Sequence, residues 1–388
     1  MNLAPMVPLE ELMAARQGSV NPLNFADETF ELYSIPAFDS RKPEVLKGRD
    51  IGSTKQVVQS QDVLLSKIVP HIRRSWIVGP ASNLRQIASG EWIVFRSARV
   101  VPEYLRHALQ CDDFHAQFMQ TVSGVGGSLL RARPAQVAKI RIPLPTVSEQ
   151  RRIAAILDQT DALRAKRREA LAQLDRLAQS VFVEMFGDPV SNPMNWPMES
   201  LTDVCHCYSG GTPSKSNPEY WQGDLPWFSA KDLKADDLFD SQDHISETVP
   251  KTTSLKLLPA DTVAIVVRGM ILEHTFPVSV LRVPATINQD LKALLPRKPI
   301  ETQFLACCLR AQRDFILEKV SEAGHGTKRL DTLGLQEIRV PQVPDSLQKV
   351  FVARNKAIEN LKTQHRTALA ELDALFASLQ HRAFRGEL

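Results

Sequence analysis

Residues 148–188 read SEQRRIAAILDQTDALRAKRREALAQLDRLAQSVFVEMFGD, with no proline and with no glycine before Gly187. Most of these residues favour helices, and apolar side chains recur every three to four positions. The pattern predicts one long helix that begins near Ser148 and ends at Gly187. A helix of roughly 36 residues is about 54 Å long, which is more than a compact domain requires. Such a segment is typical of a spacer or a coiled coil.

The same helix recurs near the C-terminal end of the chain. Residues 167–186 align with residues 365–384 after a shift of 198 positions, which places Asp175 on Asp373. The apolar stripe is kept, so the two helices can bury their stripes against each other. The alternative is two surface helices, each packed on its own domain. The residues predicted to form the coiled coil and to bind partners are Ile153, Ile156, Leu157, Leu163, Leu171, Leu174, Leu177, Val181, Leu361, Leu369, Leu372, Leu375 and Leu379.

The composition is that of a globular protein. The chain has 388 residues and a formal net charge of +3, and it has room for two or three domains. No apolar run approaches the roughly 18 residues of a membrane span. Residues 1–12 lack a basic and then apolar leader, so we expect a cytoplasmic protein. The five cysteines lack the spacing of a zinc site, and we expect reduced thiols and no metal.

The segments that precede the two helices follow one plan. The strand IRIP at 140–143 recurs as IRVP at 338–341, and a helix predicted over 102–121 has a counterpart that begins at Phe304. A duplication is the simplest origin of this order. We therefore predict two mixed α/β domains, each followed by a long helix, at residues 1–145, 146–188, 189–344 and 345–388.

Catalytic signatures are missing from the sequence. There is no GxxxxGK[ST] phosphate loop, no HExxH and no GxSxG. GVGG at 124–127 does not open a helix, and GHGTK at 324–328 is too short for a phosphate loop. The run NPEY at 217–220 is close to the NPPY of amino-methyltransferases, but its third residue is Glu. We therefore expect no catalytic residue in this chain.

Recognition chemistry is present instead. The run SGGTPSK at 209–215 combines hydroxyls, a lysine and bare backbone amides, which suit contact with phosphate. Arg131 and Arg133 follow one glycine-rich stretch at 123–128, and Lys328 and Arg329 follow another. Such side chains on loops can pair with phosphates or base edges. The alternative is an ordinary solvated surface.

Three stretches carry a resemblance to a known family. They are IRIPLPTVSEQRRIAAILDQTDAL at 140–163 with its continuation to FGDP at 186–189, SGGTPSKSNPEYW at 209–221, and the segment at 225–233. In these stretches the chain resembles the specificity (S) subunit of type I restriction–modification systems. The likeness covers nearly the whole chain, although the first domain has no GGTP loop after Leu12.

The resemblance implies an α+β fold in which two target recognition domains are joined by two long antiparallel helices that form a coiled coil, with an internal pseudo-twofold repeat. Each domain would read one half of a bipartite, asymmetric DNA site, and the helices would set the spacing. The chain would be non-catalytic and would belong to a DNA adenine methyltransferase and endonuclease complex. Two modification subunits would carry S-adenosylmethionine, and restriction subunits would use ATP and Mg²⁺.

On this interpretation both domains bind double-stranded DNA. The predicted DNA-binding residues are Lys67, Arg73, Arg74, Arg131 and Arg133 in the first domain, and Ser209, Gly210, Gly211, Thr212, Ser214, Lys215, Lys231, Arg268, Lys328 and Arg329 in the second. Two alternatives stay open. One is a coiled-coil scaffold that binds proteins without DNA specificity, and the other is a single-chain methyltransferase or nuclease with an unfamiliar site.

Overall fold

The computed structural model describes residues 4–15, 18–124, 130–322 and 324–388. The chain divides into two compact units. The first combines Met1–Arg168 with Thr367–Leu388, and the second is Glu169–Arg366. Both boundaries fall inside long helices, so each long helix contributes one part to each unit.

Short strands and helices make up the first unit. Its strands are β1 (Met6–Pro8), β2 (Ser19–Val20), β3 (Thr29–Tyr33), β4 (Glu44–Lys47), β5 (Lys55–Val57), β6 (Val63–Ser66), β7 (Ser75–Ile77), β8 (Arg85–Ala88), β9 (Trp92–Phe95), β10 (Val122–Ser123), β11 (Arg131–Ala132) and β12 (Arg141–Pro143). Its helices are α1 (Ile35–Ser40), α2 (Pro102–Ala108), α3 (Asp112–Gln120), α4 (Pro134–Val137) and the start of α5 (Val147–Phe186). Short 3₁₀ turns lie at Leu9–Glu11, Pro22–Phe25 and Gly48–Asp50.

Within the described residues, the first unit has a mixed sheet in the order β2-β5-β8-β3-β4 and an antiparallel sheet in the order β7-β6-β9. β1 pairs with β12, and β10 pairs with β11. The main core lies between the β6–β9 sheet, α2, α3 and the first turns of α5, with Tyr104 and Leu157 fully buried. Burial of a side chain of this size stabilises the fold by about 1.5–3 kcal/mol.

The second unit repeats this plan. Its strands are β13 (Met198–Ser200), β14 (Cys205–Ser209), β15 (Leu225–Phe228), β16 (Asp237–Leu238), β17 (Asp243–Ile245), β18 (Thr262–Val266), β19 (Val278–Leu281), β20 (Thr286–Ile287), β21 (Leu291–Pro296), β22 (Ser321–Glu322), β23 (Lys328–Arg329) and β24 (Arg339–Pro341). Its helices are α6 (Leu201–Val204), α7 (Val249–Thr252), α8 (Thr302–Ala311), α9 (Arg313–Glu318), α10 (Thr332–Glu337) and the start of α11 (Asp345–Arg385). The 3₁₀ turns are Pro218–Trp221, Met270–Glu273 and Gly324–Gly326.

Among these residues, one sheet has the order β14-β21-β18-β19-β16 and another has the order β17-β15-β20. β13 pairs with β24 as β1 pairs with β12, and β22 pairs with β23 as β10 pairs with β11. All five residues of β18 are buried. Phe182, Phe186, Phe304 and Phe351 pack their rings together where α5 and α11 meet α8. The repeat predicted from the sequence therefore reappears as matching strand pairs.

The two long helices contact each other inside each unit and run antiparallel there. In the first unit Arg164 of α5 pairs with Asp373 of α11, and in the second unit Lys362 of α11 pairs with Asp175 of α5. The packed positions differ in part from the predicted stripe. Four of the predicted stripe residues are 45–48% exposed, namely Leu163, Leu177, Leu361 and Leu375. These four leucines are therefore not buried between the helices, and their role in binding partners stays a prediction.

Two predicted helix boundaries also change. The helix predicted over 102–121 is two helices, because Cys111 is extended and Asp112 begins a new first turn, where acidic residues are favourable. The long helix α5 begins at Val147 and is capped by the Thr146 hydroxyl, which accepts from the Glu149 N–H at 3.3 Å. Its predicted stop is confirmed, since Gly187 has a φ of 77°. No helix in the described ranges is long and apolar enough to cross a membrane.

Candidate nucleic-acid interface

Two predicted basic residues of the first unit meet at one edge. Ile68, which follows β6, bridges to Arg131 on β11. The Lys67 Nζ lies 3.9 Å from the Glu91 carboxylate, and the Arg131 guanidinium lies 3.4 Å from the same group. The side chain of Arg131 is 54% exposed. Two cations therefore share one carboxylate at an accessible edge, and the group keeps a net positive charge.

The other predicted basic residues of this unit are held elsewhere. The Arg73 guanidinium lies 2.6 Å from Asp112, and that of Arg74 lies 3.6 Å from Asp39 and is only 11% exposed. The Arg133 Nε–H donates to a main-chain carbonyl at 3.4 Å. These three arginines do not share the Glu91 carboxylate. Residues 125–128 of the predicted glycine-rich loop lie outside the described residues.

In the second unit the SGGTPSK loop is pressed against the sheet. A Cβ on Gly210 would lie 1.9 Å from the Ile287 carbonyl oxygen, so only glycine fits at that position. The Gly211 N–H donates to the same oxygen at 3.0 Å, and the Gly211 carbonyl accepts from the Trp227 indole at 2.9 Å. The Gly211 amide is thus occupied within the protein, and the glycines hold the loop in place.

The polar side chains of this loop line the surface. The Ser209 hydroxyl accepts from Lys292 Nζ at 2.9 Å, and the Ser214 hydroxyl lies 2.7 Å from that of Ser216. Lys215 is exposed. Lys292 was not predicted from the sequence as part of this surface, although the alternation of side chains along a strand could have indicated it. Its neighbours Leu291 and Ala293 are fully buried, which turns Lys292 to the open face.

The basic residues of the second hairpin join a second group. Arg268, which follows β18, bridges to Arg329 on β23. The Gly269 N–H donates to the Lys328 carbonyl at 3.0 Å, and the Lys328 Nζ lies 3.4 Å from Glu322. This bridge corresponds to the one between Ile68 and Arg131, so both units place basic residues on the same hairpin.

Lys231 is placed differently from the other cations. Its Nζ donates to the Asp243 carboxylate at 2.7 Å, and this hydrogen bond raises the pKa of Lys231 above its ordinary value. Lys231 lies after β15, whereas the Arg268–Arg329 group lies after β18. No hydrogen bond or ion pair among the described residues links Lys231 to that group.

No group of three or more His, Cys, Asp or Glu side chains in the described ranges could hold a metal ion. All five cysteines are free thiols.

The chain was compared with protein-family models, with curated proteins and with solved structures. Residues 193–373 match the family model described as the type I restriction modification DNA specificity domain. The chain is 32% identical over 211 residues to the EcoR124I/EcoR124II specificity subunit of Escherichia coli, an alignment that covers 52% of this chain and 51% of the relative. The chain spans about half the length, or less, of the curated relatives that it matches.

Solved structures share the fold over the whole chain. A chain from a study of complex assembly and conformational transition of the type I R-M system aligns with a TM-score of 0.59 at 23% identity, covering 100% of this chain and 99% of that chain. The S subunit from M. genitalium aligns with a TM-score of 0.58 at 14% identity, covering 99% and 96%. The resemblance predicted from the sequence is confirmed: residues 193–373 match the specificity domain of type I restriction–modification systems, and the chain is similar to specificity subunits of that kind.

Proposed function

We propose that this chain is the DNA sequence-recognition subunit of a type I restriction–modification complex, and that each unit reads one half of a bipartite, asymmetric site. The observation that supports this proposal is that both units place basic residues on the same hairpin. Arg131 bridges to Ile68 in the first unit, and Arg329 bridges to Arg268 in the second. Arginines on rigid edges of this kind can bind phosphates and guanine edges. One scaffold with different side chains suits two different half-sites.

The long helices would act as the spacer between the half-sites. We propose that α5 and α11 form an antiparallel coiled coil over their length, which the charge pairs Arg164–Asp373 and Lys362–Asp175 support. A spacer of fixed length converts helix length into half-site spacing, as the geometry of dimers does in other DNA-binding proteins. Two weak readers on one frame also gain affinity through effective concentration.

Partner subunits would dock on the helices. Leu163 and Leu361 occupy equivalent repeat positions, as do Leu177 and Leu375, and all four are 45–48% exposed. Apolar side chains in equivalent places on both repeats suit two copies of one partner. We propose that the partner is the modification subunit, which would supply S-adenosylmethionine and the pocket for a flipped adenine.

Restriction subunits with ATP and Mg²⁺ would complete the nuclease, and the assembly would act in the cytoplasm. The low net charge of this chain fits a subunit whose partners also hold the DNA backbone. In this proposal the chain contributes recognition and spacing, and the chemistry belongs to its partners.

The test is co-expression of the full chain with its modification subunit, followed by mapping of methylated adenines in the host genome. The proposal predicts one two-part motif with a fixed gap. A stable complex that methylates no two-part site would favour the protein-binding scaffold. Methyl transfer by the purified chain alone would favour the single-chain enzyme.

A further inference from the structure

The turn at residues 288–290 joins β20 to β21 in the second unit and is firmly fixed. Asn288 is 5% exposed, and its N–H donates to the Phe228 carbonyl at 2.8 Å. The Asn288 Nδ2–H donates to Asp290 at 3.0 Å, and the Asp290 N–H donates back to Asn288 Oδ1 at 3.0 Å. Gln289 at the tip is exposed. A fixed turn thus presents one exposed amide side chain.

The turn lies between the two predicted DNA-binding groups of the unit. On one side, Ile287 accepts from the Gly211 N–H of the SGGTPSK loop. On the other side, the Asp290 carbonyl accepts from the Arg268 N–H at 3.2 Å, and Arg268 bridges to Arg329. Main-chain hydrogen bonds therefore connect the SGGTPSK loop, the turn and the basic hairpin. Gln289 lies on the turn, between the loop and the hairpin.

The amide of Gln289 is oriented and still has bonding capacity. The Thr212 hydroxyl donates to its Oε1 at 2.6 Å. This contact uses one lone pair of Oε1 and leaves the other lone pair and both N–H groups of the amide. A glutamine amide with those groups matches the N6 and N7 edge of adenine in the major groove.

The first unit has the same turn with a different tip. The Ser89 N–H donates to the Tyr33 carbonyl at 3.1 Å, and the Lys67 N–H donates to the Glu91 carbonyl at 3.0 Å. The tip residue is Gly90, which has no side chain where the second unit has its glutamine. The tip therefore varies while its support is kept, as expected of a position that sets specificity.

We infer that Gln289 reads an adenine·thymine pair in the half-site of the second unit, with Thr212 as its positioning residue. The inference rests on the proposed function and names one base contact within it. It assigns to the Arg268–Arg329 group the backbone contacts that hold the unit in register.

The experiment uses the complex of the full chain with its modification subunit and a duplex that carries the mapped site. Affinity is measured for this duplex and for a series in which each base pair of the second half-site is changed in turn. Replacing a base-reading side chain costs roughly tenfold to a hundredfold in affinity. Gln289→Ala should show this loss and should accept any base at one adenine position. Thr212→Val should show a smaller loss at the same position.

The matched control is Gln336→Ala, another exposed glutamine of the same unit, which should bind as the unaltered complex does. Because Gln289 is exposed, its variant should melt at the unaltered temperature. Unchanged base preference in Gln289→Ala would overturn the inference, and so would an equal loss on every duplex, which marks a phosphate contact. Failure of the proposed function would show separately, as the absence of any two-part site for the unaltered complex.

Discussion

Lys362 Nζ lies 2.7 Å from the Asp175 carboxylate, and the Lys362 side chain is 1% exposed. Lys362 also donates to Glu359 at 2.7 Å. Arg164 and Asp373 make the corresponding 2.5 Å pair at positions shifted by 198. The same helix-to-helix ion pair therefore occurs within both units, and in the second unit its cation is buried.

Replacing Lys362 should destabilise the second unit. Burial opposes the charge on Lys362, but the hydrogen bonds with Asp175 and Glu359 raise its pKa overall. Lys362→Met removes these bonds and leaves the two carboxylates without their shared cation, so we expect a loss of about 1–3 kcal/mol in the free energy of unfolding. Denaturant melts measure the loss. The control Lys356→Met changes an exposed lysine of the same helix and should cost almost nothing. Equal stability of the two variants would contradict this role.

A buried glutamine fastens the first turn of each long helix to the domain that precedes it in the chain. Gln150 Oε1 accepts from the Val101 N–H at 2.8 Å, and Gln348 Oε1 accepts from the Glu301 N–H at 3.0 Å. Gln150→Leu keeps most of the volume but removes the acceptor of the partly buried Val101 N–H, which costs about 1–3 kcal/mol. Gln348→Leu should cost a similar amount, whereas Gln173→Leu on the exposed face should not. If both buried variants melt as the parent does, the fastening role is wrong.

Gly210 and its neighbour form a natural matched pair. Gly210→Ala would force the loop away from the Ile287 carbonyl, whereas an added Cβ on Gly211 meets no atom within 4 Å. We expect Gly210→Ala to weaken binding to the second half-site, and we expect Gly211→Ala to weaken it far less, because the loop keeps its place. Affinities for duplexes with one scrambled half-site measure both effects. A loss on the first half-site would refute this account of the loop.

The buried cysteines should be inert in the folded chain. Burial raises the pKa of Cys307 to about 11 and that of Cys205 to about 12, so little reactive thiolate forms near pH 8. Iodoacetamide at pH 8 should label Cys207 first, since it is only partly buried. Peptide mass spectrometry of samples labelled before and after unfolding measures the order in which the cysteines react. Rapid labelling of Cys307 without unfolding would mean that this part of the core is open.

The repeat could be predicted from the sequence because helix propensity, periodicity and the shift of 198 agreed over a long segment. The sequence could not predict which face of each long helix packs against its neighbours. Leu163 and Leu177 lie at apolar spacing, yet both are exposed. An α-helix has 3.6 residues per turn, so a stripe picked out at three-to-four spacing drifts around a helix as long as α5. Which apolar residues of the stripe are buried depends on where the neighbouring helix lies.

The DNA-binding residues stay a prediction, and the sequence could propose only groups of residues that lie near one another along the chain. The SGGTPSK loop and the basic hairpin are such groups, but the residues that hold them in place come from distant strands. The Ile287 carbonyl requires glycine at position 210, and Gln289 accepts a hydrogen bond from Thr212. Both contacts join segments that are more than 70 residues apart. No local pattern reports such pairings. The sequence also did not indicate that Arg73 and Arg74 pair with acidic residues on other elements.

The two-reader account is tested most directly by measuring how alanine pairs in each unit affect each half-site. Lys67 and Arg131 are replaced together in one variant, and Arg268 and Arg329 in another. The affinity of each complex is then measured on duplexes in which only one half-site is intact. The account predicts that each variant loses affinity for one half-site and keeps it for the other. Equal loss on both half-sites from either variant would contradict it.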